Sequence, residues 1–369
     1  MNPNDLFWTS PPKDEEPLPV DPLGLDVMRD ELADRLVPCL TSRTKRHEDF
    51  FWTLVFIKWA ASEPTHEARV AAFLRYERWL KLLWAKYGSE AGFAGSRRAK
   101  VQSQEDGAPL VAYKRLLKMP QSQGMLGAHL APLRSLGLVV ESESLELTDG
   151  PARNDSGAAL VMAIDPDPPR LRDGKWSDWK RDFDGVREHF AGGDFRRRLR
   201  NLMAKKMPVL DGALASLRYP AQGTQQWTRA AKHMPSGLAP YARLAGAFCP
   251  WAAEMRDFFV ACVESRCSDK SIRCPKPLAA SIPSDLERWE PLRKALARWD
   301  KASPVRFMAD WHREVFEGRG YGKSDLWLSY EDGRPMAFPG RVSATKNVEG
   351  DCRWSNAVTL LKPRRGGRA

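Results

Sequence analysis

The segment from Phe195 to Lys206 reads Phe-Arg-Arg-Arg-Leu-Arg-Asn-Leu-Met-Ala-Lys-Lys and is the strongest charged feature of the chain. Phe195, Leu199, Leu202 and Met203 recur at helical spacing, so they predict one buried face. Arg196, Arg197, Arg198, Arg200, Lys205 and Lys206 then cover the remaining surface of the same helix. Like charges packed this closely repel one another unless a polyanion neutralises them. If that polyanion is DNA, each contacted phosphate steepens the salt dependence of binding. An acidic protein partner and a plain solvated face are the two alternatives. A second basic group, Arg97, Arg98 and Lys100 followed by Lys114, Arg115 and Lys118, extends the candidate nucleic-acid surface.

Catalytic chemistry finds less support. Glu141, Glu143, Glu146 and Asp149 cluster in sequence, but no lysine accompanies them as a metal-dependent nuclease would require. The chain contains no GxxxxGK[ST], no GxGxxG after a strand and no GxSxG, so NTPase, dinucleotide and hydrolase chemistry is not expected. Asp310, His312 and Glu314 lie close in sequence, yet a helix would not place them on one face. Surface charge is the expected role of that trio. Cys249, Cys262, Cys267 and Cys274 have no standard zinc spacing, and with Cys39 and Cys352 they read as reduced thiols. No metal, no cofactor and no catalytic activity are expected.

With 369 residues the chain has room for two or three domains. Lysine and arginine number 58 against 47 acidic residues, a formal net charge of +11, which favours polyanionic partners. Its 14 tryptophans fall mostly in apolar helical patterns and predict large aromatic cores. The apolar run from Phe50 to Ala61 is too short to span a bilayer and contains Lys58. The opening Met-Asn-Pro-Asn-Asp lacks a basic region and apolar run, so a cytoplasmic location is expected.

The elements that must position these residues are mainly α-helical. Residues 1–20 read as a flexible, acidic, proline-rich arm. A helical domain is expected over 21–95, with Leu25, Met28, Leu32 and Leu36 on one face and a fully apolar helix from Asp49 to Ala61. Its third helix, Thr65 to Tyr87, should turn Phe73, Tyr76, Leu80, Leu83, Trp84 and Tyr87 inward. Arg69, Arg75, Arg78, Lys81 and Lys86 should face out. A small domain is expected over 96–165, closed by the Asp-Pro-Asp-Pro-Pro boundary from Asp165. A helical region over 166–300 carries the basic helix, preceded by Trp176, Trp179, Phe183, Val186 and Phe190 at helical spacing. Residues 301–369 should form an α/β subdomain with a helix over Phe307–Phe316, a short hairpin around Glu331-Asp332-Gly333, a helix over Trp354–Leu361 and a basic tail.

Within 96–165, Pro120 stops one helix and Ser122 can cap the next, which carries Leu126, Leu130 and Leu133. Gly137 ends that helix, and Leu138–Val140 and Leu145–Leu147 read as two short strands, with Thr148 and Asp149 able to cap the next helix. The phrase Leu-Arg-Ser-Leu-Gly-Leu-Val … Leu-Glu-Leu-Thr-Asp-Gly resembles the helix-then-wing of prokaryotic winged-helix domains. That resemblance implies DNA contact, with Arg134, His129, Gln121 and Gln123 as the side chains available to base edges. Two glycines in that helix and the acidic wing, Glu141 to Ser144, argue against sequence readout and for backbone contact or a protein-docking role. Separately, the block from Asp21 to Arg46 and the closing Arg353-Trp-Ser-Asn-Ala-Val-Thr-Leu-Leu resemble uncharacterised prokaryotic proteins encoded beside helicases and nucleases in anti-phage defence or mobile loci. Cys39 stands where those proteins commonly have glycine. This second resemblance implies a non-catalytic subunit of a multi-protein, DNA-processing complex.

Overall fold

The computed structural model describes residues 21–41, 43–87, 96–104, 121, 124–140, 145–148, 156–162, 175–191, 194–216, 225–263, 276–299, 304–319, 328–331, 334–337 and 354–361. In chain order the helices are α1 (Leu25–Leu36), α2 (His47–Ala60), α3 (His66–Tyr87), α4 (Ser96–Gln104), α5 (Met125–Ser135) and α6 (Gly157–Leu160). They continue with α7 (Trp176–Ala191), α8 (Asp194–Lys206), α9 (Pro208–Ser216), α10 (Gln225–Ala230) and α11 (Ala239–Val263). Next come α12 (Glu290–Ala297), α13 (Pro304–Glu317), a hairpin of β1 (Leu328–Glu331) and β2 (Arg334–Ala337), and α14 (Trp354–Leu361). The protein is mainly α-helical. No helix among the described residues is long and apolar enough to cross a membrane.

Contacts group the chain into two units, each discontinuous in sequence: residues 1–36 with 216–354, and 37–215 with 355–369. In the first unit α1 packs on α11.

In the first unit Leu25, Met28, Leu32 and Leu36 form the buried face that their spacing predicts. The Trp289 indole N–H donates to the Met28 carbonyl at 3.1 Å, and the Trp289 ring lies 4.6 Å from Phe248 of α11. Trp251 stacks on Trp311 of α13 at 5.9 Å. The hairpin is antiparallel, with Leu328 opposite Ala337 and Glu331 opposite Arg334. Its expected turn residues, Asp332 and Gly333, lie outside the described residues.

His312 departs from the surface role expected for it. It is fully buried between Phe259 and Phe316, and its Nδ1 donates to the Pro22 carbonyl at 2.7 Å. Helical periodicity explains this: Phe316 lies one turn beyond His312, so both fall on the apolar face. Burial pushes the His312 pKa down to about 4, against the Pro22 hydrogen bond, and Arg319 adds to the fall. The unfolded chain titrates near the ordinary value of 6.5, so it binds the proton first as pH falls. His312 should thus cost nothing above pH 6.5 and remove about 3 kcal/mol of stability by pH 4. His312→Asn keeps a donor for Pro22 without the titration. Urea denaturation at pH 7 and pH 4.5 should show a smaller acid loss in this variant than in the parent.

The second unit is built around α2. Phe50, Phe51, Trp52, Leu54, Val55, Phe56 and Ile57 are all buried, so this helix has almost no solvent face. Trp52 stacks on Phe183 of α7 at 5.5 Å with the rings 6° apart, and meets Trp79 of α3 edge-on at 6.0 Å. Phe51 packs between Phe190 of α7 and Phe195 of α8. The His47 ring bonds the Leu360 carbonyl at 2.9 Å, tying α14 to the start of α2.

Lys81, expected to face solvent, is instead buried and paired with Glu77 one turn earlier at 2.5 Å. The same Glu77 oxygen accepts the Met125 backbone N–H at 2.9 Å. It thereby caps α5, whose N-cap residue Gly124 has no side chain to do so. The cap expected from Ser122 falls outside the described residues.

The turn after α5 matches the sequence closely. Gly137 sits at φ +72°, and the Leu138 N–H returns to the Leu133 carbonyl at 2.9 Å. The two wing strands do not form as strands among the described residues. Val139 and Leu147 make a single antiparallel bridge, flanked by Val140 N–H to Glu146 O and Thr148 N–H to Leu138 O. Leu138 and Val139 are buried in the core. Glu146 pairs with Arg69 of α3, so it is tied into the fold rather than into a carboxylate cluster. Thr148 accepts the Gly157 N–H at 3.2 Å, but Ser156 caps α6. A Cβ on Gly157 would lie 1.9 Å from the Leu138 carbonyl oxygen, so only glycine permits this approach.

Candidate nucleic-acid interface

The helix α8 presents the predicted buried face: Phe195, Leu199, Leu202 and Met203 are all in the core. Its six cations separate into two classes. Arg198 donates to the Ala159 carbonyl at 3.1 Å, and Arg200 donates through Nε to the Leu361 carbonyl at 2.7 Å. Both are half-buried and hold neighbouring helix ends, α6 and α14. Arg196 lies over the Phe190 ring at 4.2 Å. Arg197 is exposed and pairs with Asp194 one turn earlier, and Lys205 and Lys206 are exposed in the last turn. The uniform cationic surface expected from the sequence is thus only partly available, because two helix termini use arginine to satisfy their last carbonyls.

The second group is sampled at α4, where Arg98 and Lys100 are exposed on either side of the buried Ala99. The Arg97 side chain, Lys114, Arg115 and Lys118 lie outside the described residues. Arg134 is half-buried near the end of α5, and Gln121 is exposed. His129, another of the expected base-reading side chains, is buried. Its Nδ1 meets the Met125 carbonyl at 3.0 Å, and its ring meets Phe50 edge-on at 5.1 Å. Burial holds the His129 pKa below its ordinary value, against the pull of Asp49. It is therefore a core residue and not a reader of base edges. Gln123 and the acidic wing residues 141–144 lie outside the described residues.

No family model, curated protein or solved structure matches this chain.

Sequence reasoning passed over one feature of the same unit. The last turn of α3 and the length of α4 enclose an open groove of about 510 Å³ lined by Ala85, Lys86, Lys100, Ser103 and Gln104. The Lys86 ammonium donates to the Ser103 carbonyl at 3.1 Å and lies 5.0 Å from the centre of the Trp176 ring. Its neighbour Tyr87, expected inside, is 39% exposed and donates its hydroxyl to the Trp176 carbonyl at 3.2 Å. The available signal was position: Tyr87 ends α3 and Trp176 begins α7, and terminal aromatics have neighbours on fewer sides.

The three described cysteines, Cys39, Cys249 and Cys262, are buried. Burial pushes the Cys39 thiol up to about 12, which leaves it protonated and unreactive near neutral pH.

Proposed function

We propose that this chain is a non-catalytic DNA-binding subunit of a prokaryotic anti-phage defence or DNA-processing complex, acting in the cytoplasm. It holds the phosphate backbone largely without reading sequence. The observation that carries this reading is the exposure of Arg197, Lys205 and Lys206 on a helix whose other face is anchored in the core. Arg98 and Lys100 on α4 add to the same charge. The α5 helix, the Gly137 turn and the Val139–Leu147 bridge support a winged-helix-like element at its centre, used for backbone or protein contact.

A scaffold that docks an acidic protein is the second reading. It is favoured by the engagement of Arg196, Arg198 and Arg200 within the fold, which shortens any continuous phosphate track. Titration of a labelled duplex at several salt concentrations separates the two. The variant R197E/K205E/K206E should bind at least about tenfold more weakly, with a slope of log K against log salt shallower by about 2.7. Arg198 and Arg200 are left intact because they hold helix ends. An unchanged affinity and slope would remove DNA from this helix, and absence of duplex binding by the parent at low salt would favour the scaffold.

A further inference from the structure

The groove between α3 and α4 combines a cationic lining with aromatic rings beside it, and duplex backbone contact needs only the first. Its lining is cationic and polar, with Lys86 and Lys100 and no carboxylate. Beside it, α3 and α7 interleave lysines and rings. Lys86 sits over Trp176 at 5.0 Å, and Lys180, which pairs with Asp184 one turn on, lies over Tyr87 at 5.4 Å. The rest of this unit buries its aromatics almost completely, as Trp52, Trp79, Trp84 and Trp179 show. Among the described residues only Tyr87, Val101 and Met162 are large hydrophobics left exposed, and the first two belong to the helices that form this groove.

An aromatic face left in water forgoes burial, whereas a duplex offers phosphates and groove edges rather than open base faces. Unpaired nucleotides offer both a phosphate chain and flat bases. Proteins that take single strands pair a cationic groove with rings on which bases stack. Lysines already held against rings and a carbonyl lose little freedom when a phosphate arrives. The polar Ser103 and Gln104 provide further lining for sugar and phosphate oxygens.

We propose that the Lys86–Lys100 groove, with Tyr87 and Trp176 at its side, binds a short stretch of single-stranded DNA, as at an overhang or a melted end. The inference deepens the DNA-binding reading by assigning the form of DNA that this second surface takes. It does not require α8, so the two sites can fail separately.

The test uses the full chain and two fluorescent probes, an oligo(dT) strand and a blunt duplex, read by anisotropy. Tyr87→Ala combined with Lys86→Gln removes one exposed ring and one exposed groove charge, neither of which belongs to the duplex surface of α8 and α4. Circular dichroism and thermal melting check that the fold is kept. This variant should bind oligo(dT) about tenfold or more weaker while duplex affinity changes less than about threefold. The α8 variant R197E/K205E/K206E should show the opposite pattern. Equal oligo(dT) affinity of parent and Tyr87/Lys86 variant overturns the inference, as does a parent that binds duplex but no single strand. A parent that binds oligo(dT) through Tyr87 and Lys86 but no duplex would leave this site standing and overturn the duplex reading.

Discussion

Glu77→Ala should destabilise the second unit by about 3–5 kcal/mol, as removal of one partner from a buried ion pair does. Two separate losses combine in this change. Lys81 is 3% exposed and pairs with Glu77 at 2.5 Å, so the variant leaves an ammonium in the core without its counter-ion. The Met125 N–H also loses the carboxylate that accepts it, and α5 loses the cap that Gly124 cannot supply. The midpoint of urea unfolding for the parent and Glu77→Ala measures the cost. A second variant, Glu77→Leu with Lys81→Met, removes both charges at similar volume and should recover a large part of the stability. A loss under about 1 kcal/mol for Glu77→Ala would mean that the pair is open to water.

Trp52→Ala should cost about 3–5 kcal/mol, the range for truncating a large buried aromatic. Trp52 is completely buried and occupies the point where α2, α3 and α7 meet, between the stacked Phe183 and the edge-on Trp79. Truncation removes the shared surface of three helices at once, and the surrounding rings cannot rotate inward without leaving their own contacts. Trp52→Phe keeps a ring against Phe183 and should cost less than half as much. Thermal melting monitored by circular dichroism checks both, and equal melting points for Trp52→Ala and the parent would exclude this packing.

Much of the local structure was readable from residue spacing. The extents of α2, α3 and α14, the buried face of α8 and the hairpin at β1 and β2 reflect apolar periodicity or a turn signal. These features are local, because each depends on residues within one or two turns. The misses have a different cause. Lys81 is buried because α3 places it one turn beyond Glu77, and that pair also reaches Met125 at the start of α5, a separate helix. His312 lies on the apolar face that its spacing gives α13, but the carbonyl that satisfies its Nδ1 there comes from Pro22 at the far end of the chain. No periodicity reports a partner at that separation.

The candidate site shows the same division. Charge density on α8 was visible as a run of arginines and lysines, and it pointed to a polyanion before any fold was known. Which of those cations face solvent was not visible. Arg198 and Arg200 are held by the carbonyls of Ala159 and Leu361, ends of helices that lie far away along the chain. The α3–α4 groove was equally hidden, since Lys86, Lys100 and Trp176 belong to three separate helices.

The sequence by itself therefore determined a basic, mainly helical chain with aromatic cores, a cationic helix and a glycine-terminated helix. Tertiary structure alone decided how the segments group into two discontinuous units and which charged side chains are buried or tied. It also decided where a lysine-lined groove opens beside the exposed Tyr87 ring. The reason is physical. Helix formation and amphipathicity depend on neighbours a few residues apart, while the burial of a charge depends on whichever distant carbonyl or carboxylate can satisfy it.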